Sequence, residues 1–413
     1  MNIQIVLTPD SSLMVGGKTV NNNFKESLRY IPGSVLRAAF ARAIVERCPL
    51  GDEPVGNKRY WVQIRKQDEC SRCKFYALCR DFSDIRFPTL YPLGSTPYPM
   101  TSQCCKYPDS NCQEVVDFLC ARLGEHTIPS CGSCGSGRER MDGFHLNGKK
   151  VVPRTLLVTK TAVNSQLRTA KYGLLYSINT VTKHVWHDKK LQEIEFSGMI
   201  TSLDKDVYKV LESISNLRIG SSVTRGLGSC RVSYGVENPD NNSEVMSLES
   251  RVQRFNEHII RQDSEEDGEP PTYITLDVLS DAYLNMECVG GDGSPIEPAD
   301  WSDEKFTEYI SRQIKLPPQY KLILVYKSYG MARGFDTSAE SEKDMRRRTR
   351  LIVNAGAVFV YQRVGVVDDW EELKRIEETG IGQSTEHGFG RVRICDEFHV
   401  KFDVMGGVKD HDS

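Results

Sequence analysis

No long apolar run occurs in this sequence; its hydrophobic stretches span a few residues each, well short of the ~20 needed for a membrane helix. The opening MNIQIVLTPD lacks a basic start followed by an apolar core, so a secretory signal is not expected and the chain reads as intracellular, without membrane contact. An excess of positive charge is missing too. Lys and Arg number 53 against 56 Asp and Glu, a balance that disfavours nonspecific nucleic-acid binding. Histidine is scarce, with 8 in all and none before His126.

Charge is nevertheless unevenly placed. Between Gly137 and Lys190 eleven Lys/Arg, among them Lys160 and Arg168, face three acids, and a second basic run spans 346–350. The acids gather elsewhere, as in DSEEDGE at 263–269. A basic run is usually a solvated face, so composition alone does not establish binding. Of 13 cysteines, ten lie between Cys48 and Cys134. In an intracellular chain that local cluster points to metal ligation or buried thiols rather than to disulfides.

At 413 residues the chain exceeds what one core usually serves, and two domains are expected. Apolar Ile3, Ile5 and Leu7 alternate as in a half-buried strand. In YIPGSVLRAAFARAIVERC, Pro32 suits a helix start and Ser34 can cap it, while Leu36, Phe40 and Ile44 share one face. From 52 to 148 periodicity dissolves into Cys, Pro, Gly and Ser, which reads as an insertion. Strand-like runs resume at 151–158, 174–181 and 195–201, with a helix at 206–215. The polar segment 237–270 is the candidate acidic linker, carrying one possible helix at 247–260. Beyond it come strands at 273–278, 320–326, 355–364 and 390–402, with helices at 304–314 and 369–378. The expected boundaries are therefore 1–236, with the cysteine-rich insertion at about 48–148, the linker 237–270, and 271–413.

The most informative feature is a gapless internal repeat. Residues 219–232, IGSSVTRGLGSCRV, align with 381–394, IGQSTEHGFGRVRI, and each stretch follows a predicted helix and enters a predicted strand. A glycine-bearing strand precedes both, FSGMI at 196–200 and AGAVF at 355–359. Two copies of one unit imply a duplicated domain. One glycine turn is commonly only a helix stop. Two matched turns with Ser, Thr and Arg between the glycines point further, because glycine lets a ligand approach the main chain and successive amides can hold an anion such as phosphate. The turn precedes a strand, so it is not a dinucleotide fingerprint.

Taken in order, IPGSVLR, KTAVNSQLRTAKYGLLYSI, FSGMI and RIGSSVTRGLGSCRV, then YGMARGF, NAGAVFV and GIGQSTEHGFGRV, resemble the motifs of the RAMP superfamily of CRISPR-associated proteins. The nearest type is the large cysteine-rich RAMP subunit of type III-D effector complexes. The resemblance implies an α+β chain of two ferredoxin-like (RRM-like, βαββαβ) domains in tandem, with a zinc-binding insertion in the first. It implies a cytoplasmic prokaryotic protein that holds CRISPR RNA, and through it target RNA, beside other effector subunits in antiviral defence. By position it assigns Gly33, Ser34 and Arg37 to a helix N-terminus near RNA. The glycine-rich loops are then Gly220, Ser221, Ser222, Thr224, Arg225, Gly226 and Gly228, and Gly382, Gly388, Gly390 and Arg391. Ala38 departs from the glycine common in the family. Free helix-start amides, bidentate arginines and the basic stretch with Lys160 and Arg168 suit a phosphate backbone. The first loop is the stronger RNA site, since Glu386 in the second would repel phosphate.

Cys131-Gly132-Ser133-Cys134-Gly135 has the form of a zinc knuckle, and Cys105 and Cys112 can complete a tetrahedral structural site, with Cys104, Cys120 and His126 as competing ligands. Cys70, Cys73 and Cys79, joined by Cys48, form a possible second set; iron–sulfur spacing is not matched. An insertion this poor in periodic apolar residues is expected to need such a staple. The rival function is a RAMP endoribonuclease that processes the repeat or cuts target RNA. Processing enzymes of that family use a histidine near the first helix, which is absent here, leaving His387 and loop aspartates Asp142, Asp188 or Asp336. A non-catalytic RNA-binding subunit is the expectation.

Overall fold

The computed structural model describes residues 2–16, 19–21, 23–51, 62–112, 115–127, 130–163, 166–201, 204–236, 246–260, 271–284, 314, 316–332, 350–365 and 369–405. The helix expected at 304–314 except Ile314, the acidic run 263–269, Asp336 and nearly all of the 346–350 basic run lie outside these residues.

The chain is mixed α/β with several sheets. One sheet has the order Asn216–Arg218, Ser229–Val236, Ile3–Pro9, Phe196–Ile200, Tyr91–Pro92; a second has Tyr320–Tyr326, Val358–Arg363, Thr272–Val278, Val392–Ile394. In each half the earliest strand lies centrally, antiparallel to both neighbours: Leu7 opposes Phe196 and Val232, and Leu276 opposes Phe359 and Ile394. Ile3, Ile5 and Leu7 are fully buried, as their alternation predicts. The duplication thus reaches beyond the glycine turns to three strands of each sheet, the earliest and its two neighbours, while the remaining strands differ. The two glycines ahead of those turns are not equivalent, however. Gly198 lies mid-strand opposite Ile5, whereas Gly356 is in a turn at φ +89° before its strand begins.

The helix Gly33–Val45 buries Leu36, Phe40 and Ile44 against the first sheet. Ser34 does not cap it. Pro32 occupies the cap position, and its carbonyl accepts from the amides of Val35 and Leu36. The residues read as an irregular insertion contribute directly to both cores: Phe75, Leu78, Phe82, Phe87 and Leu90 to the first, Leu119, Cys120 and Leu123 to the second. Helix Leu248–Ile260, within the 237–270 segment, places Leu248, Val252, Phe255 and Ile259 in the second core. The strand expected at 390–402 ends early, at Ile394. Cys395 turns the chain at φ +47°, and Phe398–Lys401 is helical.

The runs at 151–158 and 174–181 are parts of a longer hairpin, Lys149–Val163 against Ala170–His187. Pro153, which cannot donate to the ladder, sits at an irregularity in the pairing. Val151, Val181 and Val185 anchor the hairpin in the first core, while Leu157 and Leu175 are 58% exposed and Leu167 near the tip is 69% exposed. Among the described residues no helix is long and apolar enough to cross a membrane.

A buried charge cluster ties three distant segments together. His399 Nδ1 lies 3.1 Å from Asp117 Oδ1 and its Nε2 lies 2.7 Å from Asp277 Oδ1, all within the interior. Burial alone would lower the imidazole pKa; the Asp277 and Asp117 charges and their hydrogen bonds outweigh it and hold His399 well above its ordinary value. Thr101, the Leu119 amide, Thr275 and the Asp396 amide satisfy further carboxylate lone pairs. Substituting His399→Leu strands two buried carboxylates and should lower stability by about 3–5 kcal/mol. Urea denaturation measures it; a loss below about 1 kcal/mol, the worth of an exposed pair, would contradict the imidazolium assignment.

Candidate nucleic-acid interface and metal centre

The two glycine-rich turns share one backbone conformation. Ser222 and Ser384 are left-handed at φ 59° and 60°, and both turns carry a single 3-10 turn, Val223–Arg225 and Thr385–His387. Each closes with the same bond, the Ile219 amide to the Gly228 carbonyl and the Ile381 amide to the Gly390 carbonyl, both at 2.8 Å. The reason for the glycines differs from the expected ligand approach. A Cβ on Gly220 would strike the Met14 carbonyl and one on Gly228 the Ile219 carbonyl; Gly382 and Gly390 stand likewise against Tyr283 and Ile381. The amides of Ser221, Arg225, Gly226 and Gly228 already serve backbone carbonyls. Most of the turn is therefore packed by the chain itself rather than held open as an amide cradle.

The turns part company in what surrounds them. The second abuts the N-terminus of the Gly33–Val45 helix. A Cβ on Gly33 would meet the carbonyls of Phe87 and His387, and one on Gly388 would meet Phe87 and Thr89 main chain. The Phe87 amide donates to the Glu386 carbonyl at 3.2 Å, and Thr89 Oγ1 to the Gly388 carbonyl at 3.3 Å. Arg37 is spent on the same joint: Nη1 donates to the Ile85 carbonyl at 3.2 Å, its guanidinium lies 4.6 Å from the Phe82 ring centroid, and the Glu386 charge acts on it. Gly33 is buried there and Ser34 and Arg37 are half-buried. His387 lies 3.5 Å from Glu386 in this joint. Alongside, Tyr30 donates to Asp281 Oδ2 at 2.8 Å and Tyr91 to the Leu279 carbonyl at 2.7 Å. Arg391 is exposed, and its amide donates to Ser280 Oγ at 2.9 Å.

Among the described residues the first turn has no such cover at Gly226. A Cβ on Gly226 would meet nothing within 4 Å, and Ser221, Thr224 and Arg225 are exposed. Arg225 Nη1 donates to Tyr176 Oη at 2.6 Å, which ties the turn to the hairpin; Tyr176 pairs with Lys160 across the ladder. Arg168 stands near the hairpin tip in left-handed conformation at φ 51°. From Lys160 to the tip the ribbon runs on for a few pairs, roughly 10 Å at ~3.3 Å per residue. Arg225, Lys160 and Arg168 thus lie along one turn-and-hairpin surface. Tyr176 was not singled out from the sequence, where an alternating strand tyrosine looks like any core residue.

The four cysteines of the knuckle reading do converge. The Sγ atoms of Cys105, Cys112, Cys131 and Cys134 all lie within 4.8 Å of one another. Cys112 and Cys131 are 3.7 Å apart, against the about 3.8 Å set by a tetrahedron of 2.3 Å zinc–sulfur bonds. Gly135, at φ +60°, closes the knuckle with its amide on the Cys131 carbonyl at 2.9 Å. Hydrogen bonds from Ser136 pull the Cys134 thiol down to about 6, and the amides of Cys134 and Ser133 lower Cys131. Cys131 and Cys134 are thus the readier ligands, whereas burial raises the thiols of Cys105 and Cys112. Cys70, Cys73 and Cys79 are not gathered in this way; with Cys48 they are near enough to act on Cys79, whose thiol burial raises to about 12, yet they form no set within 4.8 Å. Cys120 lies apart, in the second core.

No family model and no curated protein matches the chain. Among solved structures it is similar to a chain of the type III-B Cmr-beta bound to cognate target RNA and AMPPnP in state 1, at TM-score 0.42 and 11% identity over 91% of this chain and 88% of that one. A second cryo-EM structure of the type III-B Cmr-beta, bound to cognate target RNA, gives 0.38 and 11% over 94% and 96%. The crystal structure of the Csm3–Csm4 subcomplex in the type III-A CRISPR-Cas interference complex gives 0.34 and 12% over 89% and 95%. Each is a likeness in chain course, and at such identity no role passes from those chains to this one.

The joint makes a sharp contrast testable. Gly226→Ala and Gly388→Ala both cost about 1–2 kcal/mol for a left-handed residue with a side chain, but only the second also drives a methyl into Phe87 and Thr89 main chain, a further cost of about 1–3 kcal/mol. Urea midpoints should separate the two variants; equal losses would contradict the packing of the second turn.

Proposed function

We propose that this chain is an RNA-binding, non-catalytic subunit of a type III CRISPR effector complex, of the III-D kind, holding guide RNA beside other effector subunits. The ordered RAMP-like motifs support the class. The shared strand order of the two sheets supports two ferredoxin-like modules, 1–236 and 271–413. The observation that carries the RNA reading is the inequality of two turns of one backbone conformation. Main chain of Phe87 and Thr89 closes over Gly388 in the second, whereas among the described residues nothing lies within 4 Å of a Cβ on Gly226 in the first, where exposed Arg225 joins the basic hairpin through Tyr176. On this reading Thr224, Arg225, Lys160 and Arg168 meet the phosphate backbone, with the hydroxyls of Ser221 and Ser222 alongside. Gly33, Ser34, Arg37, Gly382, Gly388 and Gly390 position the second module, and Arg391 is an outlying contact. Cys105, Cys112, Cys131 and Cys134 hold a structural zinc that fixes the segment between the first core and the hairpin.

Reversing charge at Arg225 and Lys160 together, Arg225→Glu with Lys160→Glu, should weaken guide-RNA binding at least tenfold and lower the magnitude of the log K–log salt slope by roughly 1–2. Filter binding across a salt series reads both, and unchanged affinity in a folded double variant would sink the interface. For the metal, Cys112→Ser with Cys131→Ser should remove one zinc per chain by elemental analysis and open residues 105–138 to limited proteolysis. A zinc content equal to that of the unaltered chain would refute the centre.

A further inference from the structure

The second core holds a different group of donors that neither the RNA reading nor the four-cysteine centre uses. Cys120 Sγ, His258 and an Asp403 carboxylate oxygen all lie within 4.8 Å of one another. They come from three elements far apart in sequence: the short helix Leu119–Leu123, the last turn of Leu248–Ile260, and the residues just after Phe398–Lys401. His258 Nε2 is 2.9 Å from Asp403 Oδ2, and Cys120 Sγ lies 3.6 Å from the His399 carbonyl oxygen. The backbone holds the set in place. Asp117 and Asp403 are bridged in parallel, with the Asp117 amide donating to the Phe402 carbonyl at 2.6 Å and the Val404 amide to the Asp117 carbonyl at 2.9 Å.

Two physical facts bear on what this group does. Cys120 is 0% exposed, so a Cys-His-Asp arrangement here cannot present a nucleophile to a substrate. The neighbourhood is also rich in buried carboxylates: Asp117, Asp277 and Asp403 are all interior, the first two sharing His399 and the third facing His258. Interior anions are retained when paired or when they coordinate a metal. One sulfur, one imidazole nitrogen and one carboxylate oxygen form a donor set of the zinc class, and three protein ligands leave a fourth position for water. His258, with 11% of its side chain exposed, provides the edge from which an ion would enter.

We propose that Cys120, His258 and Asp403 form a second metal site, separate from the four-cysteine centre, which takes zinc or a like divalent ion. Binding places the dication on the Cys120 thiolate, the His258 imidazole and the Asp403 carboxylate. The thiol proton leaves to buffer, and the proton held between His258 and Asp403 moves to the ring nitrogen that does not bind the ion or likewise leaves to buffer. The ion joins the 119–123 helix, the 248–260 helix and the C-terminal 398–405 segment, which the sequence leaves unconnected.

The test uses the full chain, purified with zinc and freed of loosely held metal. Zinc is counted by elemental analysis, and Co(II) replaces it for absorption spectroscopy. His258→Gln and the near-isosteric Cys120→Ser should each remove one zinc equivalent while leaving the four-thiolate charge-transfer band of the Co(II) form intact. Conversely, Cys112→Ser with Cys131→Ser should abolish that band and retain one equivalent with weak single-thiolate absorption. Zinc content unchanged in both His258→Gln and Cys120→Ser, or a folded Cys112/Cys131 variant holding no metal, overturns the proposal. The loss or persistence of the four-thiolate band reports on the other centre separately.

Discussion

Two backbone surfaces meet without side chains between them where the helix Gly33–Val45 begins, and the division of labour in this molecule depends on that contact. Gly33 and Gly388 admit the carbonyls of Phe87 and His387 into space that a single methyl would fill. Main-chain packing this close is rigid, because neither face has a rotamer to change. It takes up the arginine that a helix start would otherwise offer to an anion, while Pro32 accepts from the amides of Val35 and Leu36. Arg37 lies over Phe82 with Glu386 nearby, which seats the second turn rather than a ligand. The same turn, repeated in the first half, meets no helix N-terminus among the described residues. Duplication therefore yields one turn used for assembly of the chain and one left to face outward.

Periodicity made the elements legible. The burial of Leu36, Phe40 and Ile44 follows from their spacing, and Ile3, Ile5 and Leu7 follow from their alternation. The repeated turn was legible because its glycines are demanded by left-handed angles that few other residues adopt, so the pattern survives in both copies. The four-cysteine convergence was legible for a similar reason, since a Cys-x-x-Cys turn is itself a local geometry. What glycine meets in space was not legible. The motif reads identically whether a ligand, Met14 or Phe87 lies against it, and only the fold distinguishes them. The insertion was misjudged because Phe75, Leu78 and Leu119 lie in short elements with no sustained period, yet each is buried in a core built mostly by other segments. Nor could spacing reveal His399 between Asp117 and Asp277, which lie 282 and 122 positions away along the chain.

These buried polar contacts share a location. Asp117 and Cys120 come from the insertion, Asp277 from the central strand of the second sheet, His258 from the preceding helix, and His399 and Asp403 from the C-terminal segment. An apolar interface among the same pieces would tolerate sliding by a residue or more, because dispersion is non-directional. Carboxylates on an imidazolium do not tolerate it, since a displaced partner leaves an interior charge that costs several kcal/mol. The insertion is consequently fixed in register against the second sheet through Asp117, while strand Phe144–Leu146 pairs it to the base of the hairpin. Tyr98 and Met100 add two further ties, with the Met100 amide on the Gly356 carbonyl at 2.8 Å and the Tyr98 hydroxyl on the Gly148 carbonyl at 2.9 Å. The base of the hairpin is thereby referenced to the second half of the chain as well as to the first. A cationic ribbon held at both sides keeps Arg225, Tyr176 and Lys160 in one arrangement, and a preordered surface loses less entropy on binding an extended polyanion than a loose one would.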